Sequence, residues 1–262
     1  REVMRILPML NDDVNEEWIS DKTRYACDGL ARQRLDRPYV RKDGKLQEAT
    51  WHEALDAVGG KLRGLVGGKI AAIAGDQCDA ESMTALKDLM VALGSPHIDC
   101  RQDGAKLDAG VRAGYVFNTT IAGIEQADAC LIIGSNPRVE APILNARLRK
   151  RAGAGGVRVG VVGENADLTF RTEHLGAGPQ TLKEIADGSH AFCEVLNAAE
   201  RPMLILGQGA LSRSDGAAVL AAALAPQRIH GRRQTIKRAP HLGTAVRFVQ
   251  RPGPWGLGST RV

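Results

Sequence analysis

The chain has 262 residues, 44% hydrophobic and 25% charged, with 30 glycines and 11 prolines, an ordinary globular composition long enough for one large domain or two small ones. No apolar run approaches the roughly 20 residues that a spanning helix needs, and no charged n-region followed by an apolar core opens the sequence, which reads as a fragment of a longer polypeptide. The net charge of +5 is local: the stretch from Pro226 onward carries eight basic residues and no acid, leaving 27 basic against 30 acidic residues in the preceding 225, so the body gives no signature of a nucleic-acid partner.

Taken in chain order, residues 1–50 are irregular and highly charged. At Thr50 the texture changes. Thr50-Trp51-His52-Glu53 is a capping box, in which the Thr hydroxyl accepts from the Glu53 amide while the Glu carboxylate reaches back. Leu55, Val58, Leu62 and Leu65 follow at helical spacing and predict an apolar helix face, ended by Gly67-Gly68. The run 69–74 (KIAAIA) predicts a short buried strand, and Asp79 then caps a second helix with Met83, Leu86, Met90 and Leu93 on one face and Gly94 at its stop.

The alternation continues. Residues 129–133 (ACLII) predict a second buried strand, Pro142 opens a helix running to Arg151, and 157–162 predict a third strand. Helical runs near 181–186 and 189–198 lead to a fourth strand at 203–206, and Ser214 caps an Ala-rich helix over 215–225. Strand, Gly-containing turn, helix, strand is the pattern of a parallel sheet with helices on both faces, so residues 51–225 are expected to form a Rossmann-like α/β domain, incomplete at both ends. Residues 226–262 break the pattern. They have no acids and end in a Pro/Gly-rich stretch, a basic, atypical tail that reads either as an arm for an acidic partner or, the preferred expectation, as disordered or non-native sequence such as out-of-frame translation would produce.

Four of the strands end at glycine: Gly75, then Gly134-Ser135-Asn136, then Gly163, then Gly207-Gln208-Gly209. Ligands of doubly wound folds lie beyond the carboxyl ends of the strands, where glycine lets a phosphate approach the backbone, so Gly75, Gly134, Ser135, Asn136, Gly163, Gly207 and Gly209 are the candidate lining of a vestigial crevice. The simpler expectation is that glycine merely ends each strand, since no complete GxGxxG is present. The five cysteines (Cys27, Cys78, Cys100, Cys130, Cys193) form no CxxC pair, which argues for a reducing compartment and against a metal site within the segment. The six histidines are isolated, the acids Asp12-Asp13 and Glu16-Glu17 are expected on a solvated face, and the cluster Arg147, Arg149, Lys150, Arg151 suits the carboxyl end of a helix. Nothing names a nucleophile or general base.

The stretch Asn15-Glu-Glu-Trp-Ile-Ser-Asp-Lys-Thr-Arg-Tyr-Ala-Cys-Asp-Gly-Leu30, with Arg34-Leu35, Arg37-Pro38, Val40-Arg41 and Trp51-His-Glu-Ala-Leu55, resembles the molybdopterin oxidoreductase superfamily. Glu2-Val-Met-Arg-Ile-Leu-Pro8, Asn118-Thr-Thr-Ile-Ala-Gly123, Gly134-Ser-Asn-Pro-Arg138, Glu140-Ala-Pro142, Asn145-Ala-Arg147 and Asp215-Gly-Ala-Ala218 sharpen the likeness to one branch, the large iron–sulfur subunits of respiratory complex I. Where catalytic members such as formate dehydrogenases carry Cys-x-Lys-Gly-Arg, this chain has Ser20-Asp21-Lys22-Thr23-Arg24, and a neutral Ser is a poor iron ligand.

The resemblance implies that residues 1–50 close a small 4Fe–4S domain and enter the body. It implies 2Fe–2S and 4Fe–4S clusters in the parent subunit with all ligands outside this segment, no bound molybdopterin, and no catalytic or metal-binding residue here. It further implies a structural role within NADH:quinone oxidoreductase, whose electrons pass from NADH through FMN and iron–sulfur clusters to quinone with proton translocation. The implied partners are other peripheral-arm subunits, with NADH and quinone acting elsewhere and no nucleic acid involved. The implied place is the cytoplasmic face of a bacterial inner membrane, or alternatively the matrix face of the mitochondrial one. The alternative reading is a fragment of a molybdopterin-binding, formate dehydrogenase-like oxidoreductase.

Overall fold

The computed structural model describes residues 2–32, 34–75, 78–100, 104–107, 117, 119–224 and 244–247. The chain forms two compact units, one of Arg1–Ile6 and Lys22–Gln102, the other of Leu7–Asp21 and Asp103–Val262.

In the first unit, α1 (Asp21–Tyr25) leads into a hairpin of β1 (Tyr39–Lys42) and β2 (Lys45–Glu48), paired antiparallel from Tyr39↔Glu48 to Lys42↔Lys45. The turn is Asp43-Gly44, with φ of 49° and 78°, the two left-handed residues that match the strand twist of a two-residue hairpin. The stretch read as irregular in the sequence therefore contains regular structure. Next comes α2 (Trp51–Leu62), which carries the expected capping box: the Glu53 amide donates to Thr50 Oγ1 at 3.3 Å and the Thr50 amide to Glu53 Oε2 at 2.8 Å. Its apolar stripe is not buried. Leu55 is 64% and Val58 54% exposed, so the helical period was readable while the covering surface was not.

β3 (Ala71–Ile73), α3 (Ala80–Ala92) and β4 (His97–Asp99) follow, with β3 and β4 parallel. Asp79 Oδ1 accepts from the Ser82 amide at 2.6 Å and caps α3, while Gly94 at φ 66° takes the chain out of it. Buried Ser95 donates through Oγ to Ile70 O at 2.6 Å and accepts from the His97 amide at 3.2 Å, tying the entries of the two strands together. A single sheet over 51–225 would include β3. Instead this three-residue strand pairs with β4 in a two-stranded sheet of its own.

The second unit holds the main sheet. β5 (Ala129–Ile133) is buried at every position and is followed by α4 (Pro137–Glu140), α5 (Pro142–Gly153), β6 (Arg158–Val162) and β7 (Glu173–Gly176). Then come α6 (Pro179–Asp187), α7 (Phe192–Ala198), β8 (Pro202–Gly207), α8 (Gln208–Leu211), α9 (Gly216–Leu224) and β9 (Thr244–Arg247). The five strands lie in the order β7-β6-β5-β8-β9 and all pairs are parallel. The chain starts at the centre, moves outward to β7, and crosses back to β8, so the strand order reverses between β5 and β8. This is the Rossmann-like α/β arrangement expected from the sequence.

Alternation along β5 divides the core. Cys130 and Ile132 join Leu144 and Leu148 of α5, with Ile124, Val159, Val161, Leu168, Met203 and Ile205, on one face. Leu131 and Ile133 face the opposite way, with Leu182 and Ile185 of α6, Phe192 of α7 and Leu211 of α8. A fully buried parallel strand must be apolar on both sides, and ACLII is. Gly160 in β6 completes this second layer: a Cβ there would stand 2.8 Å from the Phe192 ring. Of the tail expected to be atypical, residues 244–247 extend the sheet beside β8, and the remainder lies outside the described residues.

Candidate functional site

The candidate crevice residues divide between the units. Gly75 ends β3 in the first, where a Cβ would meet only Cys78 Sγ at 4.0 Å. Gly134, Ser135, Asn136, Gly163, Gly207 and Gly209 all lie at the carboxyl ends of β5, β6 and β8 in the second, around the point of strand-order reversal.

There the chain packs against itself. The Gly134 amide donates to Val162 O at 2.9 Å, and Gly134 takes φ 60°, with a Cβ position only 2.6 Å from Ala210 Cβ of α8. A Cβ on Gly207 would collide with Gly134 O and stand 2.9 Å from Ser135 Cβ. One on Gly163 would lie 3.4 Å from Gly134 N. Gly134 and Gly207 thus spend their missing side chain on close contact, with Ala210 of α8 and with the Gly134-Ser135 loop respectively, whereas a Cβ on Gly163 would make an ordinary contact and its φ of 134° is what favours glycine. Gly209 is exposed, with Gly134 O nearest at 3.9 Å.

The polar groups around this layer are mixed, since the Asn136 and Gln208 carboxamides carry donors as well as acceptors. Ser135 donates through Oγ to Glu140 Oε2 at 2.7 Å, which places a carboxylate at the loop. Asn136 Oδ1 and Gln208 Oε1 are buried without a donor among the described residues, a cost of roughly 1–3 kcal/mol for each orphaned group. α4 opens with Pro137, which has no N–H, and the Val139 and Glu140 amides both bond Asn136 O at 3.1 and 2.9 Å. A phosphate cradle needs free donors and open space above glycine. At Gly134 and Gly207 that space is filled and the Gly134 amide is already bonded, so these two positions do not offer the open backbone of a phosphate cradle.

A different polar centre brings together residues that the sequence placed apart on solvated surfaces. Arg147 on α5 is buried, and its guanidinium meets Glu125 Oε1 at 2.6 Å and Glu16 Oε1 at 3.3 Å while donating to the carbonyls of Asp12 and Val14. Lys150, one turn on, reaches Glu16 at 2.8 Å and Glu125 at 3.1 Å. Burial works to raise the Glu125 carboxyl, but the hydrogen bonds from Arg147 and Lys150 outweigh it and hold it below the usual carboxylate range. The Lys150 ammonium is raised by its bonds to Glu16 and then Glu125. The basic cluster thus faces carboxylates of its own chain, and Glu16 is part of that contact rather than of a solvated face. Arg151 is used locally too, donating through Nε to Ala127 O at 2.9 Å.

Two of the histidines serve local bonds. His190 Nδ1 accepts from the Phe192 amide at 3.1 Å, and a ring nitrogen of His174 lies 2.9 Å from Gly163 O. A cavity of about 390 Å³ beside β7 and α7 is lined by Arg158, Glu173, His190, Phe192 and Glu194 among others, with Arg158 and Glu173 already paired at 2.7 Å. Among the described residues, no group of three or more His, Cys, Asp or Glu side chains is placed to hold a metal ion.

Residues 1–28 match the family description "NADH-ubiquinone oxidoreductase NDSU1/NuoG-like, 4Fe-4S domain". The chain is 48% identical over 219 residues to the G subunit of the NADH-quinone oxidoreductase of Rickettsia felis, covering 84% of this chain and 33% of that protein. It is 49% identical over 222 residues to the mitochondrial NADH dehydrogenase (ubiquinone) iron-sulfur protein 1 of Solanum tuberosum, covering 84% and 30% respectively. The corresponding protein of Rickettsia bellii is 46% identical over 219 residues, 84% of this chain and 32% of its own length. The chain spans about a third of the length of these curated relatives. Residues 34–226 match the molybdopterin oxidoreductase family, and on that match, which covers most of its length, the chain belongs to this family.

Proposed function

We propose that this chain is the body-forming part of the large iron–sulfur subunit of a proton-translocating NADH:quinone oxidoreductase, and that it acts there as scaffold without a redox centre of its own. The observation that carries the reading is 46–49% identity to such subunits from two bacteria and a plant over 84% of the chain. In the parent complex electrons pass from NADH through FMN and iron–sulfur clusters to quinone. The 2Fe–2S and 4Fe–4S clusters of the parent subunit take their ligands from outside this segment. Two features of the chain support the scaffold role: Ser20 stands where, by the resemblance, catalytic members have a cysteine, and Gly134 and Gly207 are taken up by internal packing.

Its partners on this reading are other peripheral-arm subunits, which hold it at the cytoplasmic face of a bacterial inner membrane or the matrix face of a mitochondrial one. No helix among the described residues is long and apolar enough to cross a membrane. The family match over 34–226 favours a second reading, a molybdopterin-binding oxidoreductase. Isolating the native protein from its own membranes under mild detergent, on a blue native gel, separates the two. The proposal expects the protein in a large assembly with NADH dehydrogenase activity, FMN and iron. Migration as a small species with formate-type activity and molybdenum overturns it.

A further inference from the structure

The polar centre on α5 joins two stretches far apart in sequence. Residues 11–16 form a closed turn. The Asn11 amide bonds Glu16 O at 3.0 Å, the Glu16 amide bonds Asn11 O at 2.7 Å, and Asn15 Nδ2 donates to Met9 O at 2.9 Å and Trp18 O at 3.1 Å. Glu16 sits at φ 51°, a left-handed conformation that a non-glycine residue keeps only where its surroundings dictate it. The turn directs the carbonyls of Asp12 and Val14 and the carboxylate of Glu16 at one guanidinium, that of Arg147, whose side chain is 6% exposed. Glu125, in the 3-10 turn Ala122–Gln126, accepts from the same Arg147 Nη1 that meets Glu16. Two cations, Arg147 and Lys150, thus balance two anions, Glu16 and Glu125.

We propose that Arg147 is a latch that fastens the Leu7–Asp21 segment onto α5, with Lys150 and Glu125 as its charge partners. The segment lies within the stretch matched by the 4Fe–4S family description, and α5 lies within the family match over 34–226, so the latch joins the two family segments inside one compact unit. A guanidinium suits the task because its planar fork of five donors can serve two carboxylates and two carbonyls together, which a lysine ammonium cannot. Few large apolar contacts substitute for it: in this segment Leu7, Met9, Leu10 and Trp18 are 61%, 86%, 72% and 57% exposed. Arg147 is therefore a positioning residue for the segment.

Hydrogen–deuterium exchange by mass spectrometry on the full chain tests this, with Arg147→Met, Arg147→Lys, Glu125→Gln and Glu16→Gln beside the wild type. The latch predicts at least tenfold faster exchange in peptides covering 9–18 for R147M, several-fold for R147K and E16Q, less for E125Q, and unchanged exchange in the β5 peptide 129–133. Unchanged exchange at 9–18 in R147M overturns the proposal. So does an equal rise at 9–18 and in β5, which would make Arg147 a general packing residue. If R147M does not fold, E16Q decides: its side chain is 26% exposed, so the change is milder, and its failure to loosen 9–18 would overturn the latch.

Discussion

Adding one methyl group at Gly207 separates packing from ligand binding as the reason for its glycine. A Cβ there would meet Gly134 O and, at 2.9 Å, Ser135 Cβ. The first obstacle is backbone, so no rotamer change relieves it, and β5 and β8 would have to part at the end of a ladder paired from Ala129↔Pro202 to Ile133↔Leu206. Overpacking of this kind costs about 1–3 kcal/mol, and an immovable neighbour places Gly207→Ala at the upper end, about 3 kcal/mol. With a urea m-value of about 3 kcal/mol/M, the midpoint falls by about 1 M. The control is Gly209→Ala, where nothing lies closer than 3.9 Å and the residue sits within α8. Alanine there should be neutral or stabilise by up to about 1 kcal/mol. Urea unfolding followed by far-UV circular dichroism measures both. A Gly207→Ala midpoint within 0.2 M of wild type, on the order of 0.6 kcal/mol at that slope, would refute the closed-crevice argument.

Three further outcomes follow from other parts of the molecule. Asp79→Ala removes the α3 cap and should lower the urea midpoint at pH 7. The Ser82 amide holds the Asp79 carboxyl below its ordinary value, so this contribution is present above the unfolded pKa near ~3.9 and is lost as pH falls through the lower folded value; the gap between wild type and variant in urea midpoint should close in acid. Thiol titration at pH 8 with an aromatic disulfide should find Cys78 and Cys100 fast, and Cys27, Cys130 and Cys193 slow, since the last three are buried and burial raises the thiols of Cys130 and Cys193; rapid reaction of Cys130 would contradict the buried β5. The latch has its own pH window. Glu125 is depressed, so its contribution is full above the unfolded carboxylate pKa near ~4.3 and disappears only below that, as pH falls through the folded value. The ¹⁵N heteronuclear NOE of Val14–Glu16 should stay high at pH 5, and a collapse by pH 6 would be the wrong sign.

Much of the α/β layout was readable because its signals are local. ACLII in β5, the Thr50 capping box, the Asp79 cap and Pro142 at the start of α5 each declare themselves within a few residues. The β1–β2 hairpin carried one local signal, Asp-Gly between two short runs, which the surrounding charges obscured. β7 had none: Glu-His-Leu-Gly is a strand only because β6 offers it an edge, and its register shifts at Val161/Val162. The exposed stripe of α2 is the converse, a correct period with no covering surface among the described residues. At the crevice, the strand-end glycines were visible, but not that α8 would turn Ala210 onto Gly134. Arg147 was hidden by the sound default that charges face water. Its helix position held the clue: it follows Leu144 by three residues and precedes Leu148 by one, on the face that α5 turns inward.

The central claim, a scaffold without its own redox centre, is tested most directly by metal and pterin analysis of the anaerobically purified chain. Molybdenum, tungsten and iron per polypeptide would be measured on folded material, with an absorbance scan for pterin after acid release. A scaffold should hold all three metals far below one per chain and no pterin. Molybdenum or tungsten near one per chain together with pterin would contradict it, and would make the Gly134 and Gly207 loops a working cofactor site.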